Sequence, residues 1–351
     1  MRPLFSLLLP VSGFATAALG LLLVACAGST AKLPAEAVTQ AAGDAIVSPP
    51  IRVGLALGGG AAKGFAHIGV IKMLEANGIG VAAVSGTSAG SVVGALYASG
   101  LNAFELQEKA VALDEAKIRD IQISSGGLLV GQKLEDYVNE QVRRKPLEQL
   151  AKPFVAVATR LEDGERTVFA QGNTGQAVRA SASVPGVFRP VVIGKYRYVD
   201  GGVVSPVPVD AARQLGADLV IAVDISSKAT GKAPKDLLGT VNQSLAIMGQ
   251  KLGQAELARA DVVIRPQVLD MGATDFTQRT AAILEGEKAA LAAIPQIRQR
   301  LEQLQADRTH AARLARQKAA EEAYKACMDN RSRLSRLADM TGMGEACRAP
   351  Q

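Results

Sequence analysis

The segment Ile51-Arg-Val-Gly-Leu-Ala-Leu-Gly-Gly-Gly-Ala-Ala-Lys-Gly64, IRVGLALGGGAAKG, carries an apolar run into three consecutive glycines and a lysine. Such a run reads as a strand delivered to a helix N-terminus, where backbone N–H groups stand unhindered and aimed at one point. A phosphate, a dinucleotide or the charge that develops in a transition state could sit there. A Walker loop needs G-x-x-x-x-G-K-[ST], whereas Lys63-Gly64 is followed by Phe65, so both the dipeptide and the magnesium-binding hydroxyl fail. A dinucleotide fingerprint starting at Gly58 needs glycine at position 63, which is Lys63. The reading left is a nest of amides for an oxyanion, and it requires a nucleophile nearby.

A nucleophile stands at the end of the next apolar run. AAVSGTSAGSVVGAL contains Gly86-Thr87-Ser88-Ala89-Gly90, a G-x-S-x-G elbow between a strand-like segment (Val81 to Ser85) and a small-residue helix (Ser88 to Ser99). Alone, this pattern is weak in a glycine-rich chain, where a structural glycine turn would look the same. The strand before it, the helix after it and the glycine nest upstream make the joint signal strong.

The general base is the informative part. A Ser-His-Asp triad needs a histidine, and the chain has two, His67 and His310. His310 lies in a charged tail, and His67 falls on the first helix, where packing or hydrogen bonding is the simpler role. The other candidate is Asp200 in YRYVDGGVVSPVP, a carboxylate closing a strand before two glycines. It could accept the serine proton directly or simply cap the turn.

Four blocks in this order resemble the patatin-like phospholipases: Gly58-Gly59-Gly60-Ala61-Ala62-Lys63-Gly64, Gly86-Thr87-Ser88-Ala89-Gly90, Arg179-Ala180-Ser181-Ala182-Ser183-Val184-Pro185-Gly186-Val187-Phe188 and Asp200-Gly201-Gly202. The resemblance runs from Ile51 to about Pro266. It implies a three-layer α/β/α fold with a mainly parallel central sheet, here followed by a C-terminal helical extension. It also implies a Ser/Asp dyad of Ser88 and Asp200, an oxyanion hole at Gly58, Gly59 and Gly60, and no cofactor. Gly86 and Gly90 flank the nucleophile, and Pro185 and Phe188 are expected to line the site. Many members carry arginine where this chain has Lys63, which keeps the charge but loses the bidentate fork and leaves head-group preference open.

Composition agrees with an α/β enzyme. Of 351 residues 48% are hydrophobic, enough for one main domain of about 250 residues with appendages. Apolar runs at 154–159, 167–170, 196–199 and 219–223 alternate with helical stretches such as 134–142, as in a sheet covered on both faces. The net charge is +6, but aromatics are 4% and do not interleave with basic residues, which argues against a nucleic-acid partner. Residues 296–351 hold eleven Lys/Arg against seven Asp/Glu, so this basic tail supplies most of the net charge. The two histidines and three cysteines form no clustered ligand set, so no metal is expected.

The N-terminus reads as an export signal: Arg2, then an uncharged apolar run ending in Leu23-Val24-Ala25-Cys26. That ending resembles a bacterial lipobox, with residues 1–25 removed and Cys26 acylated; an uncleaved anchor or an ordinary secretory signal is the plainer alternative. Several acyl chains, at about 0.8 kcal/mol per buried methylene, would hold the protein to a membrane, and Ala27 after the cysteine fits outer-membrane sorting. Residues 26–50 then form a tether, 51–295 the hydrolase domain and 296–351 a helical tail.

Cys327 and Cys347 are expected to pair in an oxidising periplasm, for about 3 kcal/mol by loop-entropy arithmetic, or else remain two buried thiols. The tail from Ile297 to about Lys325 reads as an amphipathic helix, packed on its own domain or free for lipid or a protein partner. Residues 120–133 and 226–237, rich in Gly, Ser and Lys, could border the substrate entrance. The expectation is a serine acyl hydrolase of phospholipids or lysophospholipids in the cell envelope. A general esterase or thioesterase, or a non-catalytic envelope scaffold, are the alternatives.

Overall fold

The computed structural model describes residues 48–114, 118, 120–124, 127–226, 237–272 and 274–334. The expectations for the signal peptide, Cys26, most of the tether, the loop at 227–236 and Cys347 lie outside these residues.

Ten strands are described: β1 (Val53–Leu57), β2 (Val81–Thr87), β3 (Ile121–Ser124), β4 (Gly127–Leu129), β5 (Phe154–Arg160), β6 (Arg166–Phe169), β7 (Val191–Ile193), β8 (Tyr196–Asp200), β9 (Leu219–Val223) and β10 (Val262–Ile264). Eight of them form one sheet in the order β10-β9-β1-β2-β5-β8-β7, with β6 also on β5. The first five in that order are parallel, while β6, β7 and β8 run antiparallel to their neighbours. Parallel strands need long crossovers, which are the helices: α1 (Phe65–Ala76), α2 (Ala89–Ala98), α3 (Ala103–Val111), α4 (Gln132–Gln141), α5 (Thr174–Ser181), α6 (Val209–Gln214) and α7 (Leu237–Leu257), followed by α8 (Arg279–Leu334).

Side-chain alternation divides the layers. Val53, Leu55 and Leu57 of β1, with Leu219, Ile221 and Val223 of β9, join one large apolar cluster with α1, α2 and α8. Ala56, Val220 and Ala222, the residues between, join a smaller cluster with Val209 and Ala212 of α6 and Leu257 of α7. Because successive strand residues point to opposite faces, both faces are covered and the fold is three-layer α/β/α. Each fully buried leucine, such as Leu55, contributes roughly 1.5–3 kcal/mol by leaving water.

This arrangement brings three strand ends together. Leu57 is in register with Gly86 at the carboxyl ends of β1 and β2, and Asp200 pairs with Ala158 where antiparallel β8 ends. The carboxyl edge of a parallel sheet is where open α/β proteins place their ligands.

The tail is not a separate element. α8 begins at Arg279 and runs through the expected boundary at 295/296, with Pro295 inside it. Buried Ile294 and Ile297 lie on either side of the proline, so a continuous apolar stripe carries the helix across. Farther on, Arg308 bonds Asp218 at 2.6 Å and the carbonyls of Pro49 and Pro50, while Leu314 and Met328 are exposed. The first part of the expected tail therefore packs on its own domain, and Leu314 and Met328 farther along it face solvent. Cys327 is disulfide-bonded, and Cys347, its expected partner, lies outside the described residues.

Candidate active site

Ser88 sits between the last residue of β2 and the first of α2 with φ 54° and ψ −122°. A non-glycine residue there costs of order 1–3 kcal/mol and persists when its surroundings hold it. They do so from several sides. The Ser88 N–H donates to Ser181 Oγ at 3.0 Å, and Ser181 in turn donates to the Val157 carbonyl at 2.6 Å. The Ser88 carbonyl accepts from Ser91 Oγ and from Ser91 N–H.

Both flanking glycines are required by space. A Cβ on Gly86 would lie 2.5 Å from the Gly90 carbonyl oxygen, and one on Gly90 would lie 2.1 Å from that of Leu57.

Asp200 closes β8 and is 5% exposed; Ser88 is 6% exposed. The Asp200 N–H donates to the Ser183 carbonyl at 2.9 Å, and its own carbonyl accepts from Thr159 Oγ1. Oδ1 accepts the Gly202 N–H at 2.7 Å. Burial pushes the carboxyl up to about 6, against the opposing pull of the Ser88 hydroxyl and the Gly202 amide. Ser88 is thus near enough to act on the carboxyl, yet Oδ2 has no partner of normal hydrogen-bond geometry. One oxygen of the buried Asp200 carboxyl is therefore left unsatisfied beside Ser88.

The glycine loop shows a division of labour that the three-glycine expectation did not contain. Gly58 N–H donates to the Val223 carbonyl and Gly59 N–H to that of Pro206, each at 3.0 Å. These two amides hold the loop rather than face a ligand. The amides of Gly60 and Ala61 have no protein acceptor among the described residues. Gly59 lies against Ser88, since a Cβ there would be 3.2 Å from Ser88 Cβ. Ala61 has φ 51°, a second strained non-glycine residue beside the elbow.

His67 is not a catalytic base here. It is fully buried, and because a carbonyl can only accept, its Nε2–H donates to Gly58 at 2.8 Å. Burial lowers its pKa to about 4, so the ring is neutral and fixes the loop carbonyl.

Lys63 is buried in the turn before α1, lowered by burial with Asp270 opposing. Its neighbour Gly64 abuts Ala89. Phe188 and Pro185 are half-buried, and the structure ties that segment to the small β3–β4 hairpin: Arg189 N–H donates to the Leu129 carbonyl, and Leu129 N–H donates to that of Val187. No group of three or more His, Cys, Asp or Glu able to hold a metal occurs among the described residues. No described helix is long and apolar enough to cross a membrane.

Residues 55–213 match the family model described as patatin-like phospholipase. That segment of the chain is a patatin-like phospholipase domain. The chain is 37% identical over 203 residues to an uncharacterized NTE family protein of Mycobacterium tuberculosis, covering 57% of this chain and 55% of that one. It is 33% identical over 184 residues to the human patatin-like phospholipase domain-containing protein 6, covering 50% of this chain and 13% of the human protein. The chain thus spans about half the length of the mycobacterial relatives it matches. Among solved structures, VipD from Legionella pneumophila aligns with a TM-score of 0.49 at 16% identity, over 70% of this chain and 67% of that one.

The patatin-like segment runs from β1 to α6 and so contains Ser88 and Asp200. Sequence reasoning missed Ser181 and Ser183, the two serines of the third block, which hold Ser88 and Asp200 respectively. It also missed Ser205-Pro206-Val207-Pro208, whose carbonyls accept from Thr87 Oγ1, Gly59 N–H and Ser85 Oγ. The signal was present: each proline lacks an N–H but keeps a carbonyl, so an S-P-V-P run offers acceptors without demanding partners.

Proposed function

We propose that the chain is a serine acyl hydrolase that cleaves fatty-acyl esters of phospholipids or lysophospholipids. The observation that carries this reading is a strained, nearly buried Ser88 beside a buried Asp200 whose Oδ2 lacks a partner. Ser88 Oγ attacks the ester carbonyl carbon as its proton passes to Asp200. The carbonyl π electrons move to oxygen, and the amides of Gly60 and Ala61 are the donors free to receive that charge. The tetrahedral intermediate collapses, the C–O bond to the alcohol breaks, and the alcohol leaves with the proton from Asp200. Water then attacks the acyl-enzyme with Asp200 again as base, releasing the fatty acid and restoring Ser88.

A carboxyl near 6 suits this work better than an ordinary aspartate, because a base titrating close to the working pH drives proton transfer harder. Lipid substrates are supported by the patatin-like phospholipase domain and by the lipobox-like run before Cys26, through which acyl chains would place the enzyme at an envelope membrane. Incorporation of labelled palmitate in wild type and its loss in Cys26→Ala would test that placement.

The test of activity is labelling by a fluorophosphonate probe, compared between wild type and Ser88→Ala, together with hydrolysis of phospholipid vesicles and of short soluble esters. Labelling and vesicle hydrolysis by wild type alone are expected. Turnover of short esters without vesicles would reassign the protein as a general esterase. No labelling of folded wild type would remove the enzyme reading.

A further inference from the structure

One buried carboxylate lies outside the matched patatin-like segment and takes no part in the steps above. Glu256, in the last turn of α7, is 5% exposed and accepts from Ser205 Oγ and from Val207 N–H, the latter at 2.8 Å. A carboxylate at a helix C-terminus faces the negative end of the helix dipole, so its place is not explained by stabilising its own helix. Its two donors flank Pro206. That short segment is a hub: Pro206 holds Gly59 N–H, the Ser205 carbonyl holds Thr87 just before the nucleophile, and Ser205 N–H donates to Gly201 just after Asp200.

We infer that Glu256 is a positioning residue, which fixes the 205–207 segment and through it the mutual placement of the glycine loop, the serine elbow and the Asp200 strand end. The inference rests on the hydrolase reading for its kinetic consequence, while the link from Glu256 to Gly59 can be measured without any reaction.

The ionised form accepts both bonds at once, and the protonated form gives up part of that capacity. Burial raises this carboxyl to about 7, against the pull of Ser205, Val207 and the charges of Arg166 and Arg259. Both arginines are themselves paired with Asp210 of α6, so the groups around Glu256 form a closed set. The acidic limb of the rate profile should therefore contain two components, one from Asp200 near 6 and one from Glu256 near 7.

The experiment compares wild type with Glu256→Gln, which keeps size but turns one of the two acceptor oxygens into a donor, and with Ser205→Ala, which removes one bond from the same network. Amide hydrogen exchange across residues 58–61 and 205–208 is followed alongside kcat, KM and pH profile on a soluble p-nitrophenyl ester. Both variants should remain folded, exchange faster at Gly59, and lose about tenfold in kcat with KM within about twofold, because small misplacements of reacting groups are costly. Glu256→Gln should also lose the component near 7. Unchanged exchange at Gly59 overturns the inference whatever the activity. Faster exchange with an unaltered kcat and pH profile overturns it as well. A wild type that hydrolyses no ester instead overturns the hydrolase reading and, with it, the kinetic role of Glu256.

Discussion

At the seam between α1 and α8 and at the serine elbow alike, main chains approach so closely that glycine alone fits. A Cβ on Gly69 would lie 1.9 Å from the Ile283 carbonyl oxygen, and one on Gly286 would lie 2.0 Å from that of Ala66. The corresponding clearances are 2.1 Å at Gly90 and Gly201 and 2.5 Å at Gly86. The two places differ in what surrounds the glycines. At the seam the neighbours are Ile68, Ile71, Ile283 and Ile294, with the Lys72–Glu287 pair at the rim. At the elbow they are Ser88, Asp200 and His67, with Asp200 Oδ2 and His67 Nδ1 buried and unpartnered. Tight glycine packing is thus shared between structure and chemistry. Strain together with an unsatisfied buried polar atom separates the two.

The largest effect should come from breaking the chemical side. Asp200→Asn keeps the acceptor for Gly202 but cannot take the serine proton, so kcat should fall by about 10³-fold. Stability should move the other way. The folded carboxyl titrates near 6 against an ordinary 3.8, so its stabilising share is complete below the lower value and is lost as pH rises through the higher one. That loss is about 3 kcal/mol by pH 8. Urea unfolding should therefore find Asp200→Asn as stable as wild type at pH 4 and more stable at pH 8. A variant less stable at pH 8 would mean that the ionised carboxylate supports the fold. In wild type, the same titration should make kcat/KM fall on the acid side down through pH 6.

The structural side predicts a smaller and cleaner change. Gly286→Ala would gain up to about 1 kcal/mol of helix propensity, but its methyl cannot be accommodated unless α8 lifts from α1. Overpacking at about 3 kcal/mol outweighs that gain, leaving a net loss of about 2 kcal/mol. The activity of the folded fraction should stay close to wild type. A loss of kcat with unchanged unfolding midpoint would erase the distinction drawn between the two glycine sites.

The chemical side was the more legible in sequence, for a physical reason. Gly58 to Gly64, Ser88 and Asp200 carry short-range requirements, such as a free amide, a strained turn or a carboxylate at a strand end, and these constrain residue type locally. The parallel strands were legible too, as near-continuous apolar runs. What could not be read were bonds between residues far apart in the chain: Ser181 to Ser88, Pro206 to Gly59 and Glu256 to Ser205. Nor could a sequence say which glycine amides would be consumed by the scaffold, since that depends on where Val223 and Pro206 place their carbonyls. The position 295/296 falls inside α8, where buried Ile294 and Ile297 on either side of Pro295 keep the helix on the core.

The smallest expected effect lies where α8 leaves the domain. Arg308 is about a quarter exposed, pairs with Asp218 at 2.6 Å and donates to the carbonyls of Pro49 and Pro50. Partly exposed ion pairs contribute about 1 kcal/mol or less, so Arg308→Ala should lower the unfolding free energy by about that amount, and less in high salt. The change should leave ester hydrolysis intact, because no bond from Arg308 reaches the glycine loop or the elbow. Hydrogen exchange should rise at Ile51 and Arg52, whose backbone follows the two held carbonyls. If it rises instead at Gly58 to Gly60, the entry to β1 would transmit strain into the site, and seam and elbow would no longer be separable regions.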